Sequence, residues 1–192
     1  AATRDPAGGV IERDASRAPT GVLRENAVRA CAALEAAALR AGESPPAMLA
    51  RAASDLHALG VTAVHDFERG ENAFVTMERF ARSDGPTLRV LQCVGPEDLD
   101  RMRMLGLSSG AGDDRFRVGP LKLFADGTLG SRTAAMLAPY DGTSETGLDV
   151  LAPAELAELI RRGFESGLGV AVHAIGDRAC RNALDAFERA AP

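Results

Sequence analysis

One lysine stands out among the basic residues of this chain. Lys and Arg together number 22 in 192 residues, and Lys122 is the single lysine. It lies between two leucines in FRVGPLKLFADG, an apolar stretch that predicts a buried strand. A lysine amine can lose its proton in a site of low dielectric constant, whereas an arginine guanidinium stays protonated. Lys122 is therefore a candidate for chemistry that needs a neutral amine.

Three roles for this amine stay open on the residues alone. It could form a Schiff base with a carbonyl substrate. It could react with carbon dioxide to give a carbamate, which behaves as a carboxylate and can bridge two metal ions. It could also extend along apolar surface to pair its charge with a carboxylate such as Asp126.

Other polar residues follow predicted strands. VTAVHDF carries His65 and Asp66 near its end, the lysine strand leads into Asp126, and GVAVHAIG carries His173, followed by Asp177. Ligands bind at the carboxyl ends of strands in parallel sheets and barrels. His173 could be a neutral metal ligand there, or a core histidine bound to the backbone.

The loop after the lysine strand offers candidate substrate contacts at Asp126, Ser131 and Arg132. Arg132 could hold a substrate carboxylate in a bidentate pair, or it could pair with Asp126 or Asp141. His65 is a further candidate for substrate binding.

Two aspartates are candidates for orienting a metal ligand through a hydrogen bond, Asp66 and Asp177. Asp66, with His65, could equally bond the strand to its loop. Asp177 comes four residues after His173 and could instead cap the last helix through its N-terminal amides. For Asp177 we expect the cap.

The elements that position these residues alternate. Four predicted strands and the helices between them form a β/α series: VTAVHDF, NAFVTMERFARSDG, LRVLQCVG, PEDLDRMRMLGL, FRVGPLKLFADG, APAELAELIRRGFESG, GVAVHAIG and DRACRNALDAFERAA. A helix, SPPAMLARAASDLHALG, precedes them, with Ser44 as candidate N-cap and Gly60 as its stop. The order predicts a parallel sheet covered by helices, either doubly wound or an arc of a (β/α) barrel. No GxGxxG or GxxxxGK[ST] motif follows a strand, which disfavours nucleotide binding.

The first part of the chain has a different pattern. Residues 1–20 are predicted as a loop or a short strand, GGVIERD, with a turn from Asp14 to Pro19. TGVLRENAVRACAALEAAALRAG, from Thr20 to Gly42, is rich in helix formers and predicts a helix. We expect residues 1–192 to belong to one barrel domain.

Composition limits the classes of partner. The net charge is -5, which argues against nucleic acid and against an anionic membrane surface. No apolar run approaches the ~20 residues that cross a bilayer. Three well-separated cysteines, Cys31, Cys93 and Cys180, form no CxxC pair. Each is predicted to be a small buried residue, and a reducing cytoplasm is the expected location.

Two segments together resemble a known family. LKLFADGTLGSRTAAMLAPYDG and, further along, VAVHAIGDRACRNAL resemble the amidohydrolase superfamily, specifically family 3, the YtcJ-like metal-dependent hydrolases. DPAGGVIERDASRAPTGVLRENA and LHALGVTAVHDF resemble stretches of the same family. The resemblance extends over nearly the whole chain, and the lysine strand with its DGTLGSR tail is its most specific part.

The resemblance implies a (β/α)8 barrel with one or two divalent ions, usually zinc. The family's carboxylated lysine on the fourth strand corresponds to Lys122, and its ligand on the fifth strand corresponds to His173. The predicted strands then become the second to the fifth, the central portion of the barrel. The family's other ligands, a His-x-His pair, a sixth-strand histidine and an eighth-strand aspartate, have no counterpart in this sequence.

The implied activity is hydrolysis of a non-peptide C–N bond, of amide type, by a metal-activated water. Two ligands do not complete a zinc site, so we expect the isolated piece to be inactive. A Schiff-base lyase using Lys122 and an inert structural fragment are the rival expectations. A half barrel would expose two strand edges, and these are predicted to pair with a second copy or with the rest of the barrel.

Overall fold

The computed structural model describes residues 3–6, 9–31, 44–68 and 73–190. The chain divides into two compact units, residues 1–48 and 49–192. The expectation that residues 1–192 belong to a single barrel domain stays a prediction.

The first unit contains an antiparallel hairpin of β1 (Gly9–Arg13) and β2 (Pro19–Glu25). Ile11 pairs with Leu23 across the hairpin, and Ile11 is buried. A short 3-10 helix, Asn26–Cys31, follows β2 directly. The predicted strand GGVIERD and the turn after it are thus present.

The predicted helix from Thr20 to Gly42 is wrong in its first half, where β2 and the 3-10 helix stand instead; residues 32–43 lie outside the described part. The turn explains the difference. Asp14 Oδ1 accepts hydrogen bonds from the amides of Ser16 and Ala18 and closes the hairpin. Gly21 has a φ of 94°, which does not fit an α-helix. Cross-strand pairing has therefore overridden helix propensity.

The second unit contains the predicted alternation of strands and helices. The helix α1 (Pro45–Ala58) spans the division between the units, and the later elements are β3 (Ala63–Asp66), α2 (Ala73–Ala81), β4 (Arg89–Val94), a 3-10 turn (Pro96–Asp98), α3 (Leu99–Met104), β5 (Phe116–Phe124), α4 (Pro153–Glu165), β6 (Val170–His173) and α5 (Asp177–Ala190). The helix predicted from Pro96 is split into the 3-10 turn and α3. In the described ranges, no helix has the length and apolarity to cross a bilayer.

The four strands of the second unit form a parallel sheet in the order β3-β4-β5-β6, which curls into half of a barrel. Alternate residues of the strands meet the helices on one face. Two core clusters lie there: Leu121 and Leu123 pack with residues of α3, α4 and α5, and Val90 packs with residues of α1 and α2. In a doubly wound sheet, helices cover both faces. Here the strands lie side by side in their order along the chain, and the helices pack on one face, which favours the barrel alternative.

The cysteines differ in exposure. Cys93 is buried on β4, Cys31 is partly exposed and Cys180 is exposed on α5, and all three are free thiols. The prediction that each is buried is therefore confirmed for Cys93 and wrong for Cys180. Cys180 lies on the outer side of an amphipathic helix whose buried face is formed by alanines, among them Ala179 and Ala183.

Candidate active site

A bulge in β5 decides which way Lys122 faces. Gln92 pairs with Val118 and Val94 pairs with Leu121, so β5 has one more residue than β4 between these pairs. Because side chains alternate along a strand, one extra residue reverses the faces beyond it. Leu121 consequently joins the buried core, and Lys122 lies on the face opposite the helices. Without the bulge, Lys122 would face the helix layer.

Gly119 allows this bulge. A β-carbon at this position would lie 2.6 Å from Leu91 Cδ2 and 2.9 Å from the Gln92 carbonyl oxygen. Both distances are shorter than van der Waals contact, so the two strands approach each other only because the side chain is absent. Gly119 therefore fixes the path of the strand three residues before Lys122.

Two aromatic rings flank the Lys122 amine. Its Nζ lies 4.8 Å from the ring centroid of Phe124 and 5.2 Å from that of Phe67. At such distances an ammonium group is attracted to the ring faces. Phe124 is on the same face of β5 two residues later, and Phe67 directly follows β3.

His173 lies on the same face as Lys122. On the neighbouring strand, Lys122 pairs with Ala171 and Phe124 pairs with His173. The rings of Phe124 and His173 are 5.2 Å apart between centroids. Phe124 thus contacts both the lysine and the histidine, and the sheet brings these two predicted residues together at the carboxyl end of adjacent strands.

One hydrogen bond orients the His173 ring. Its Nε2 is 2.9 Å from the backbone carbonyl oxygen of Gly127. A carbonyl oxygen only accepts, so Nε2 donates the proton and a neutral ring keeps its lone pair on Nδ1. The backbone bond expected for a structural histidine is therefore present, while 23% of the side chain remains exposed. The role of His173 as a metal ligand stays a prediction.

Asp126 is fully enclosed. Its side chain has no exposed surface, and its two oxygens accept three backbone amides, from Ala135, Ile175 and Gly176. The carboxylate therefore joins the loop after β5 to the loop after β6. Its predicted contact with substrate is untested, and the enclosure of both oxygens counts against it.

The loop after β5 also docks on the start of α5. The Ala135 carbonyl accepts the amides of Arg178 and Ala179 at 3.1 and 3.2 Å. Asp177 Oδ1 accepts the amides of Leu137 and Arg178 at 2.7 and 2.8 Å. Asp177 thus holds the loop and binds the amide of the next residue, which is not the N2 or N3 amide that an N-cap side chain accepts, so the predicted cap is not shown. Its role in orienting a metal ligand remains a prediction.

Ser131 and Arg132 lie near the tip of this loop. Ser131 Oγ is 2.9 Å from Thr128 Oγ1 and 2.6 Å from Thr133 Oγ1. Arg132 is exposed with a φ of 57°. Within residues 73–190, no ion pair joins Arg132 to Asp126 or to Asp141. The predicted substrate contacts of Ser131 and Arg132 remain untested.

His65 is separated from Lys122 along the strands. It pairs with Leu91, which in turn pairs with Arg117, five residues before Lys122. It lines a cavity of about 690 Å³ near the amino ends of β3, β4 and β5, together with Arg89 and other residues. The segment reaches Lys122 through Phe67 instead. The substrate role of His65 remains a prediction that this placement does not favour.

Asp66, the other predicted residue on β3, accepts the amide of Glu68 at 3.2 Å. This bond fits the strand-to-loop alternative. Asp66 also pairs in register with Gln92, which is buried. The prediction that Asp66 orients a metal ligand is untested.

Sequence reasoning missed three components of this site. Phe124 could have been found from its place two residues after Lys122, since i and i+2 share a strand face. Phe67 follows the HD pair at the end of its strand, but nothing in the sequence indicates that its ring reaches Lys122. The Gly127 carbonyl carries no side-chain signal at all.

The described residues could supply part of a metal site. In residues 3–6, 9–31, 44–68 and 73–190 there is no group of three or more His, Cys, Asp or Glu that could hold an ion. Burial raises the pKa of the Cys93 thiol to about 11, and the charge of Lys122 offsets only part of this rise. Near neutral pH Cys93 is therefore a protonated thiol, which is not the form that binds metals. A carboxylated Lys122 and Nδ1 of His173 would offer an oxygen and a nitrogen donor, types that suit a divalent ion, and their role as ligands stays a prediction.

Comparison with known proteins identifies the family. The model of the amidohydrolase family matches residues 1–192. The chain is 35% identical over 196 residues to YtcJ of Bacillus subtilis (strain 168), an amidohydrolase by provisional assignment. It is 30% identical over 203 residues to the N-substituted formamide deformylase of Arthrobacter pascens.

A solved structure shows the same architecture. The crystal structure of an uncharacterized metal-dependent hydrolase from Pyrococcus furiosus superposes with a TM-score of 0.72 at 35% identity over 90% of the chain. The two sequence matches include 99% and 97% of this chain. The chain nevertheless spans only 36% of the length of each of these relatives and 37% of the Pyrococcus chain. By the match over its whole length, the chain belongs to the amidohydrolase family.

Proposed function

We propose that this chain is the central part of a metal-dependent hydrolase that cleaves a non-peptide C–N bond of amide type. The observation that carries the proposal is the shared face of Lys122 and His173 at the carboxyl end of adjacent strands. Barrel enzymes place their reacting groups at that end. Family membership and the Pyrococcus metal-dependent hydrolase support the same conclusion.

Lys122 would serve as a carbamate. Its neutral amine attacks the carbon of carbon dioxide, a C–N bond forms, and the nitrogen loses one proton to solvent. The product is a carboxylate at the end of a long side chain, which an arginine cannot form. The amine lies at a half-buried strand position, between the rings of Phe67 and Phe124.

His173 would supply a neutral nitrogen beside this carbamate. Because Nε2 donates to Gly127, Nδ1 is the atom with a lone pair for a divalent ion, and zinc is the ion we expect. Such an ion would activate a water molecule and polarise the scissile carbonyl. Further ligands and the proton-transfer group would lie outside the described residues.

The substrate class is inferred from one relative. The Arthrobacter deformylase acts on N-substituted formamides by its name, and these are amides outside a peptide chain. We propose a small amide-type substrate for this protein as well, with Ser131 and Arg132 of the β5 loop as contacts.

The decisive experiment looks for a carbamate on Lys122, the only lysine among these 192 residues. The protein that carries this chain is incubated with zinc and ¹³C-bicarbonate, and the carbamate carbon is observed by NMR. Zinc content and hydrolysis of simple formamides are measured on the same samples. We expect a zinc-dependent carbamate signal, bound zinc and chelator-sensitive hydrolysis.

Lys122→Arg is the matched control because it keeps the charge and cannot be carboxylated. It should lose the signal assigned to Lys122 and lose hydrolysis, while carbamates at any other amines of the protein would remain. Hydrolysis by Lys122→Arg at the wild-type rate would refute the carbamate. A borohydride-trapped substrate adduct on Lys122 would instead favour a Schiff-base lyase.

The outer strands suggest that the sheet is extended. In the described sheet β3 and β6 are the edge strands, and open strand edges tend to pair with further chain. We propose that they pair with the remainder of the barrel or with a second copy. If residues 1–192 alone sediment as a monomer at micromolar concentration, pairing between copies is excluded. A cytoplasmic location, suggested by the three free cysteines, is likewise a proposal.

A further inference from the structure

The carboxylate of Asp126 occupies both of its oxygens within the protein. Oδ2 accepts the amides of Ala135 and Gly176, each at 2.8 Å, and Oδ1 accepts the amide of Ile175 at 3.0 Å. Ala135 belongs to the loop after β5, while Ile175 and Gly176 connect β6 to α5. A fully enclosed carboxylate with three charge-assisted hydrogen bonds is a strong tie between the two loops.

The backbone segments that Asp126 joins include both residues of the hydrogen bond that orients His173. Gly127, whose carbonyl accepts from His173 Nε2, directly follows Asp126 in the chain. Ile175 comes two residues after His173. The carboxylate therefore fixes the backbone on both sides of the Gly127–His173 bond. His173 Nε2 itself lies 3.9 Å from Asp126 Oδ1, too far for a direct hydrogen bond.

We infer that Asp126 is a positioning residue for His173, acting through the Gly127 carbonyl, and does not contact the substrate. By holding that carbonyl in place, it selects the ring tautomer with the proton on Nε2 and keeps the ring in one orientation. The inference rests on the proposed ligand role of His173 only for its consequence in metal binding. The geometry of the ring is open to measurement without metal or substrate.

Asparagine is the informative replacement for Asp126. It has nearly the same shape, but it has one acceptor oxygen and an NH₂ group that donates. At least one of the three amides would then face another donor, so the tie is weakened without a change in volume. Gly127 should become free to shift, and the bond to His173 should weaken with it.

Asp149→Asn is a matched control on the same loop. Asp149 also connects the loop to α5, through Arg178 at 3.6 Å and Asn182 at 3.4 Å. Those bonds lead to helix side chains and not to the backbone around His173. The same chemical change there should therefore weaken loop attachment while leaving the ring in place.

The test is ¹⁵N NMR of the histidine rings in the metal-free, full-length protein. The spectra are recorded at about pH 9, where an ordinary imidazole with a pKa of about 6.5 is neutral. In the wild type we expect His173 to carry its proton on Nε2, with slow exchange. Asp126→Asn should speed that exchange at least tenfold. A titration with zinc should show affinity lowered about 10- to 100-fold, the usual effect of removing a group that orients a metal ligand. Asp149→Asn should change each quantity less than twofold.

Two results would overturn the inference. A wild-type His173 protonated on Nδ1 would do so without any variant, so the test holds even if Asp126→Asn does not fold. A folded Asp126→Asn protein with wild-type exchange at His173 and wild-type zinc affinity would do so as well. A protein that shows the expected NMR pattern but binds no zinc and hydrolyses no amide would instead refute the proposed function and leave the positioning of the ring intact.

Discussion

Gly176 lies so close to Ala135 that a β-carbon on Gly176 would come within 1.9 Å of the Ala135 carbonyl oxygen. The same carbonyl accepts two amides from the first turn of α5. Ala135 follows the lysine strand and Gly176 follows the histidine strand. The loops behind the two candidate ligands are therefore in backbone contact, and that contact requires a residue without a side chain.

Replacing Gly176 with alanine should separate these loops. The new methyl group would meet backbone atoms of Ala135, which cannot move aside as a flexible side chain would. We expect a loss of about 2–3 kcal/mol in the free energy of unfolding, typical of overpacking a tight site. Urea unfolding followed by circular dichroism measures this loss.

Gly130→Ala is the control for this substitution. Gly130 is on the same loop, and a β-carbon there would meet nothing within 4 Å. Its stability should stay within about 0.5 kcal/mol of the wild type. Equal stability of the Gly176→Ala and Gly130→Ala proteins would show that the contact between the loops is not tight.

Gly119→Ala should disturb the bulge that places Lys122 on the face of the sheet opposite the helices. The β-carbon would meet Leu91 and the Gln92 carbonyl, so β5 must move away from β4. We expect a loss of about 1–3 kcal/mol in stability. We also expect reductive methylation of Lys122 to become severalfold faster, because its contact with Phe67 beyond β3 would loosen. Lys122 is the only lysine of residues 1–192, and mass spectrometry of the peptide that contains it measures its methylation.

Gly85→Ala, where a β-carbon would meet nothing within 4 Å, provides the comparison. Its methylation rate should equal that of the wild type. If Gly119→Ala also leaves the methylation rate and the stability unchanged, the bulge does not hold Lys122 in its orientation.

The sequence predicts the second unit far better than the first. From Pro45 onward, local apolar patterns and helix-ending residues such as Gly60 agree with the tertiary structure, and each predicted strand and helix is present. In the hairpin, by contrast, helix formers after Thr20 are held in β2 by pairing with β1. Local propensity is weak where a neighbouring strand supplies the hydrogen bonds.

The candidate site is predictable only in part. Lys122 and His173 are marked by residue type at strand ends, and the register places them on one face. The enclosure of Asp126 depends on amides nearly fifty residues away, so a sequence shows the carboxylate but not its partners. The bulge at Gly119 is a second such feature, because one inserted residue reverses a face without an obvious sequence signal.

Leu121→Ala should be strongly destabilising. The Leu121 side chain is fully buried beside Lys122 and packs against the helix layer. Deleting it leaves a cavity, so we expect a loss of about 2–5 kcal/mol in thermal or urea unfolding. Leu129→Ala makes the same chemical change at a side chain that is 56% exposed and should have less than about 0.5 kcal/mol of effect. Similar losses for both variants would contradict the assignment of Leu121 to the core.

The thiols should differ in their reactivity toward iodoacetamide. Burial raises the pKa of Cys93 to about 11, so at about pH 8 very little of it is the reactive thiolate. Cys180 is exposed on α5 and should be alkylated first, as peptide mapping by mass spectrometry would show. If the protein stays folded, the alkylation rate at Cys93 should rise about tenfold for each pH unit until the pH nears 11, because the fraction of thiolate rises in that way below the pKa.

A Cys180→Ser protein removes the fast site and allows Cys93 to be followed by itself. The prediction is contradicted if Cys93 in this folded variant, at about pH 8, is alkylated as fast as Cys180 is in the wild type. That result would show that β4 does not shield this side of the Lys122 site.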